Sequence, residues 1–356
     1  MSRLLNLFCA LIFTLFCESE TFKIYWNVPT HLCRNQNISF DSLLQGLNII
    51  QNKGKDGPYS FSGENFTILY SPGLWPSMEH NNKTNGGMPH HGDLQLHLKD
   101  LKQDIEKLIT NENYSGLTVI DMESWRPVFR QNSGWMTIYR NLTFKEVNET
   151  LAEELEKTPT NTEIRNYLIK EGAKIFEPKA KEFLNESTLL VKDLRKSAKW
   201  GYYGFPYCFN MGQALSARNE TCPTIVQKEN NETSWFFKSY DYWFPSVYIS
   251  NDNFTEDERE KLVRGRTAEY NRLRDLFNKK AQIYPYVWYL YNLRDEYLSI
   301  EDLKMTLRTL KENKMDGAVI WGSSAHLKEP KNECQKLYNY VKDTLKPVLE
   351  ELKKYT

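Results

Sequence analysis

Sulfur, net charge and long apolar runs are all scarce in this chain, and each shortage removes a class of protein. Its 356 residues include six cysteines, with no C-x-x-C and no H-x-x-x-H spacing, so the common short-range zinc motifs are excluded. No G-x-G-x-x-G follows the first strand-like run, which weakens a dinucleotide-binding fold. Basic and acidic residues balance at 46 each. That argues against a general nucleic-acid binder while leaving room for a local basic rim. Beyond the amino-terminal segment nothing approaches the roughly 18 continuous apolar residues a membrane helix needs, so no anchor is expected. No Pro/Gly-rich or low-complexity linker divides the chain, and the patches near Pro58 and from 86 to 92 read as loops.

What is present begins with a leader. Met1-Ser2-Arg3 is a short basic start, 4–16 is apolar but too short to span a bilayer, and Cys17-Glu18-Ser19 offers a small residue for cleavage. Residues 1–19 are therefore expected to be a secretory signal and 20–356 one domain. Ten N-x-S/T sequons agree with passage through the secretory pathway: Asn37, Asn65, Asn82, Asn113, Asn141, Asn148, Asn185, Asn219, Asn231 and Asn253. Four cysteines remain beyond the leader, Cys33, Cys208, Cys222 and Cys334, and they allow three pairings. His90 and His91 are neighbours in a Gly/Pro loop, where an exposed surface pair is expected.

Hydrophobic periodicity alternates along the rest of the chain. Strand-like runs fall at 22–26, 66–70, 117–120, 200–205, 244–248, 283–289 and 317–321; helix-like stretches fall at 94–109, 163–197, 256–277, 300–310 and 334–354. Thr255 before Glu258 and Ser299 before Asp302 read as helix starts, and Pro178 is expected to kink or divide the long middle helix. Seven strands taking turns with helices predict an α/β fold, a TIM-like barrel of seven parallel strands with outer helices.

In such a barrel the carboxyl ends of the strands converge on one site. Here they carry Trp26-Asn27, Tyr70-Ser71, Asp121 to Glu123, Tyr202-Tyr203, Tyr248, Tyr289 and Trp321-Gly322-Ser323-Ser324. Rings with a polar handle suit the apolar faces and polar edges of sugars. Asp121 and Glu123, at i and i+2 after a β-rich apolar run, point to the same side roughly 6–7 Å apart. The pair also suits a plain cap or an Arg partner, but a strand end is where a barrel enzyme carries its acids.

Five stretches then bring a resemblance. Tyr25-Trp26-Asn27-Val28-Pro29-Thr30, Val119-Ile120-Asp121-Met122-Glu123-Ser124-Trp125-Arg126-Pro127, Trp200-Gly201-Tyr202-Tyr203-Gly204-Phe205-Pro206-Tyr207-Cys208, Pro245-Ser246-Val247-Tyr248 and Ile320-Trp321-Gly322-Ser323-Ser324 resemble the hyaluronidases, glycoside hydrolase family 56. The likeness is strongest to those of arthropod venom and saliva. It implies endohydrolysis of hyaluronan, with chondroitin as a secondary substrate, no cofactor or metal, and a secreted monomer. It further implies Glu123 as the proton donor and Asp121 as the group that orients a substrate N-acetyl amide, which itself attacks the anomeric carbon. Tyr70, Arg126, Tyr203, Tyr248, Trp321, Ser323 and Ser324 become substrate-binding candidates, with Arg126 pairing to tune the acid or reaching a substrate carboxylate. The implied disulfides are Cys33 to Cys334 and Cys208 to Cys222. Where many relatives have Tyr-Asp-Pro-Gly, this chain has Tyr70-Ser71-Pro72-Gly73, so a charge is lost beside the cleft. A catalytically silent glycan-binding protein or allergen of the same fold is the competing expectation.

Overall fold

In the computed structural model the described residues are 22–52, 61–79, 82–328 and 332–354; the expected leader lies outside them. Lys23–Asn27 pairs in parallel with Gly317–Trp321, which pairs in parallel with Tyr286–Trp288. Phe66–Tyr70, Leu117–Asp121 and Lys199–Tyr202 form a second parallel set. Tyr242–Trp243 lies parallel to Gln282–Ile283. Single bridges, Tyr203 to Phe244 and Ser246 to Tyr286, join these groups. Between Lys23–Asn27 and Phe66–Tyr70 runs the segment 49–52. Ile50 exchanges backbone hydrogen bonds with Ile24 and Trp26, and the Asn52 side chain bonds the backbone N–H and C=O of Phe66. Helices follow the strands in turn, giving a TIM-barrel-like arrangement.

The alternation of side chains along the strands sorts the core into two compartments. Tyr25, Ile68, Val119, Phe244, Tyr284, Tyr286 and Val319 pack together inside the ring of strands. Their neighbours Ile24, Trp26, Leu69, Ile120 and Ile320 join the larger core beneath the helices. Gly201 belongs to the inner set because a Cβ there would lie 2.8 Å from the ring of Phe244, a member of that set. Burying a side chain such as Val119 or Phe244 stabilises by about 1.5–3 kcal/mol each.

The helix starts are chemically marked. Thr255 and Glu258 make a reciprocal capping box at Glu256–Phe277, and Ser299 caps Ile300–Glu312 through the Asp302 amide. Thr162–Leu194 runs unbroken through Pro178, which corrects the expected division. Packing against Leu94–Leu108 and Thr137–Val147 holds this helix along its length, offsetting the one backbone bond that proline cannot make. The carboxyl-terminal helix is interrupted by a wider turn at Val341–Leu345. Cys33 and Cys334 are bonded at 2.03 Å, joining segments 301 residues apart. A crosslink closing so long a loop removes about 5 kcal/mol of denatured-state entropy.

The second implied bridge is not formed. Cys208 and Cys222 are buried neighbours but stand as thiols, because the Cys222 Sγ is turned to the Cys208 carbonyl oxygen at 3.1 Å.

Candidate active site

The inner alternation, continued past each strand's last core residue, builds the site. Beyond Tyr25 comes Asn27, beyond Ile68 Tyr70, beyond Val119 Asp121, beyond Gly201 Tyr203, and beyond Val319 Trp321. These are the carboxyl ends of the strands, so one parity rule delivers polar and aromatic groups from five of them to one mouth. Met122 is buried at 1% exposure and anchors the step between the two acids, which leaves Glu123 open to the cleft. The cleft holds about 500 Å³ and is bordered by Tyr70, Asp121, Glu123, Ser124, Trp75 and Trp135.

Rings form the adjoining wall. The Trp321 indole N–H donates to the Tyr70 hydroxyl at 3.1 Å. Tyr248 stacks on Trp321 at 6.1 Å between centroids, and Trp288 stands edge-on to Trp321 at 5.2 Å. Tyr203 lies 6.4 Å from Tyr248 and meets the Tyr286 ring edge-on at 4.9 Å. Burial pushes the Tyr203 and Tyr70 hydroxyls up, and the two carboxylates add to the push. Both tyrosines therefore stay neutral and serve as hydrogen-bond partners.

The two acids are electrostatically coupled. Burial holds the Asp121 carboxyl well above the usual carboxylate range, helped by the charge of Glu123 and by a hydrogen bond to it. Burial also raises Glu123, while Arg126 and the Asp121 hydrogen bond pull the other way. Asp121 is the more enclosed of the two, and burial pushes both carboxyls toward keeping a proton. Asp121 Oδ1 is buried without a partner among the described residues.

Arg126 makes no bond to substrate space. Its Nη1 donates to the Gln131 carbonyl at 2.7 Å and its guanidinium lies over the Tyr207 and Phe209 rings at 4.6 and 5.1 Å. Fixed there, it acts on Glu123 through its field. Ser323 accepts the Ala325 amide at 3.2 Å, and Ser324 opens the short helix Ser324–Lys328. Ser71 sits in left-handed backbone, φ 45°, with its N–H bonded to the Asp121 carbonyl at 2.8 Å. Sequence reasoning missed Trp135, 64% exposed at the cleft edge, and the hairpin Ser77–Glu79 with Asn82–Thr84, which supplies Ser77, Met78, Glu79 and Thr84 to the border.

Of the histidine pair, His91 keeps its expected exposed state and His90 departs from it. His90 has a side chain only 7% exposed, and both rings reach Glu146, a residue on a helix, Thr137–Val147, that the sequence reading did not find.

Two coupled acids at the mouth of a parallel barrel-like sheet, faced by a wall of tyrosine and tryptophan, define a glycoside hydrolase site. The profile of the hyaluronidase family matches residues 14–356. The salivary hyaluronidase of Lutzomyia longipalpis is 63% identical over 99% of this chain and 93% of its own length. Hyaluronidase A of Vespula vulgaris is 35% identical over 92% and 96%. Bee venom hyaluronidase, solved with a hyaluronic acid tetramer, superposes with a TM-score of 0.81 at 33% identity, covering 93% of this chain and 99% of that one. The chain belongs to the hyaluronidase family.

Proposed function

We propose that this protein cuts hyaluronan internally at the β-1,4 bond from N-acetylglucosamine to glucuronate, with retention and with Glu123 as acid and base. The observation that carries this reading is the coupled acid pair with an orphaned Asp121 oxygen beside an aromatic wall. A substrate acetamide N–H supplies the missing donor to Asp121. Hydrogen bonding to the charged form favours it, so Asp121 becomes the anion and Glu123 keeps the proton. Glu123 then protonates the departing glycosidic oxygen while the acetamide carbonyl oxygen bonds to the anomeric carbon. The Asp121 anion stabilises the resulting cation, and in the second step Glu123 takes a proton from the attacking water. The amide is the nucleophile, so no third carboxylate is required. Tyr203 and Tyr248 hold the acetamide, Trp321 walls its pocket, Tyr70 lies under the neighbouring ring, and Ser323 and Ser324 complete that side.

The strand pieces and bridges support counting seven parallel staves in one distorted barrel, with 1–19 a cleaved secretory leader and 20–356 a single catalytic domain acting as a secreted monomer. No helix among the described residues is long and apolar enough to cross a membrane. Chondroitin, which differs in a hexosamine hydroxyl, is a secondary substrate on this reading. Size analysis of hyaluronan incubated with the purified protein tests it. Falling chain length with even-numbered saturated oligosaccharides is expected. Unsaturated products, or binding without shortening between about pH 3.5 and 8, would overturn the reading.

A further inference from the structure

We propose that His90, His91 and Glu146 form a binding site for a zinc-class divalent cation, separate from the reacting acids. The His90 Nε2 lies 2.8 Å from one Glu146 carboxylate oxygen and the His91 Nε2 lies 2.9 Å from the other. One ligand atom from each residue falls within 4.8 Å of the other two. Two imidazoles and a carboxylate are a zinc donor set, and tetrahedral ligands at 2.0–2.2 Å from zinc stand about 3.3 Å apart. To admit the ion the two short contacts open by about half an ångström while the wider donor pairs, all within 4.8 Å, close to that spacing by side-chain rotation, and half-exposed His91 and Glu146 leave room for water as a fourth ligand.

The surroundings fix the donors. His90 has its ring edge against Phe176 at 6.2 Å between centroids, and its Nδ1 is buried without a partner among the described residues. The imidazole is thus engaged only through Nε2. Glu146 stands on Thr137–Val147, whose Tyr139 hydroxyl accepts the Met78 amide of the cleft hairpin at 2.9 Å. The histidine loop closes on the same hairpin, with the Gly87 N–H bonded to the Thr84 carbonyl at 2.9 Å. A Cβ at Gly87 would meet the Met78 sulfur at 2.7 Å, so loop and hairpin are in close contact. An ion joining His90 and His91 to Glu146 would clamp this hairpin, and with it one border of the cleft, to a single helix.

Isothermal titration of the full secreted protein with zinc chloride is expected to show one saturable site per chain, with a rise in Tm on zinc addition. His91→Ala and Glu146→Gln, both at partly exposed positions, should each weaken zinc binding at least about tenfold and abolish the Tm rise. Circular dichroism of each variant without zinc verifies that it is folded. Cobalt(II) in place of zinc should give visible d–d bands without thiolate charge-transfer absorption. No stoichiometric binding to the unsubstituted protein, undiminished binding in both folded variants, or a thiolate band pointing to Cys208 and Cys222 would each overturn the proposal.

Discussion

Buried carboxylates occur in two kinds of place in this molecule, and their partners differ. Away from the cleft, Glu229 is gripped by both arms of Arg130 and by Gln131. Glu269 takes two bonds from Arg272, at 2.7 and 2.8 Å, and one from Asn230. Asp302 is held by Arg259 at 2.9 Å and by the Tyr291 hydroxyl. At the strand ends, Asp121 faces Glu123, another acid, and the nearest guanidinium is anchored on aromatic rings instead of on either carboxylate. The first set is neutralised where it is buried, which holds elements together. The second is left short of positive charge, which costs stability and pushes both acids toward keeping a proton.

The largest expected effect breaks the reactive half of this comparison. Glu123→Gln keeps size and hydrogen bonding but cannot supply a carboxylic proton, so hydrolysis of hyaluronan should fall by about 10²- to 10⁴-fold with binding retained. Asp121→Asn should be comparably damaging through lost stabilisation of the cation. A substrate with an activated phenolic leaving group separates them. Glu123→Gln should recover much of its first bond-cleavage step on it, and Asp121→Asn should not. Equal losses on both substrates, in folded variants, would remove the proton from Glu123.

The structural carboxylates should respond in stability instead. Arg259→Ala strands Asp302 in the core and is expected to cost about 3–5 kcal/mol in denaturant unfolding. Any activity that remains at a temperature where the variant is folded should keep its pH profile. A displaced profile would mean that Asp302 is coupled to the reacting pair, and the two-class division would fail.

A third test uses the sign of the linkage. The folded-state pKa of Asp121 is raised by burial and by Glu123, so the native state binds more protons than the unfolded chain. This term is harmless below the unfolded carboxylate pKa and subtracts from stability as pH rises through the raised value. Asp121→Asn removes it and should stabilise the protein at neutral pH by about 0.5–2 kcal/mol while abolishing activity. The gain should vanish at about pH 4. Destabilisation at pH 7 would show that the pair contributes to the fold and is not held at its expense.

The two kinds of carboxylate were not equally legible in the sequence. Asp121 ends a strand whose parity is readable from Leu117 and is carried on to Glu123 just beyond it, and the same alternation delivered Tyr70, Tyr203 and Trp321. Arg130 and Glu229 are 99 residues apart, so nothing local announces their union. The paired strands Ser77–Glu79 and Asn82–Thr84 were invisible because they are polar and carry no apolar alternation, lying at the rim with little core beneath them. The Glu146 helix was missed because its apolar residues form no clear stripe. Cys208 and Cys222 were expected to be bonded and stand as thiols, because whether adjacent sulfurs join depends on side-chain rotation that spacing does not encode.

Trp135 offers the smallest and sharpest test, since it asks whether the cleft extends past the acids. It sits in the tight turn Gly134–Met136, with Gly134 at φ 65°, so no period marks it. The residues around it differ in fate: Met136 is buried at 2% while Trp135 is 64% exposed. A large ring left in water at the border of a sugar-binding cleft is an unfilled stacking surface, and a pyranose face covering it would gain about 0.5–1.5 kcal/mol. Trp135→Ala should then raise KM for long hyaluronan by roughly 2- to 12-fold with kcat nearly unchanged, because the contact is made equally in ground and transition states. Short oligosaccharides that do not reach the turn should be cut as before. A fall in kcat on both substrates would instead place Trp135 among the groups that position Glu123, and the cleft would end at the acid pair.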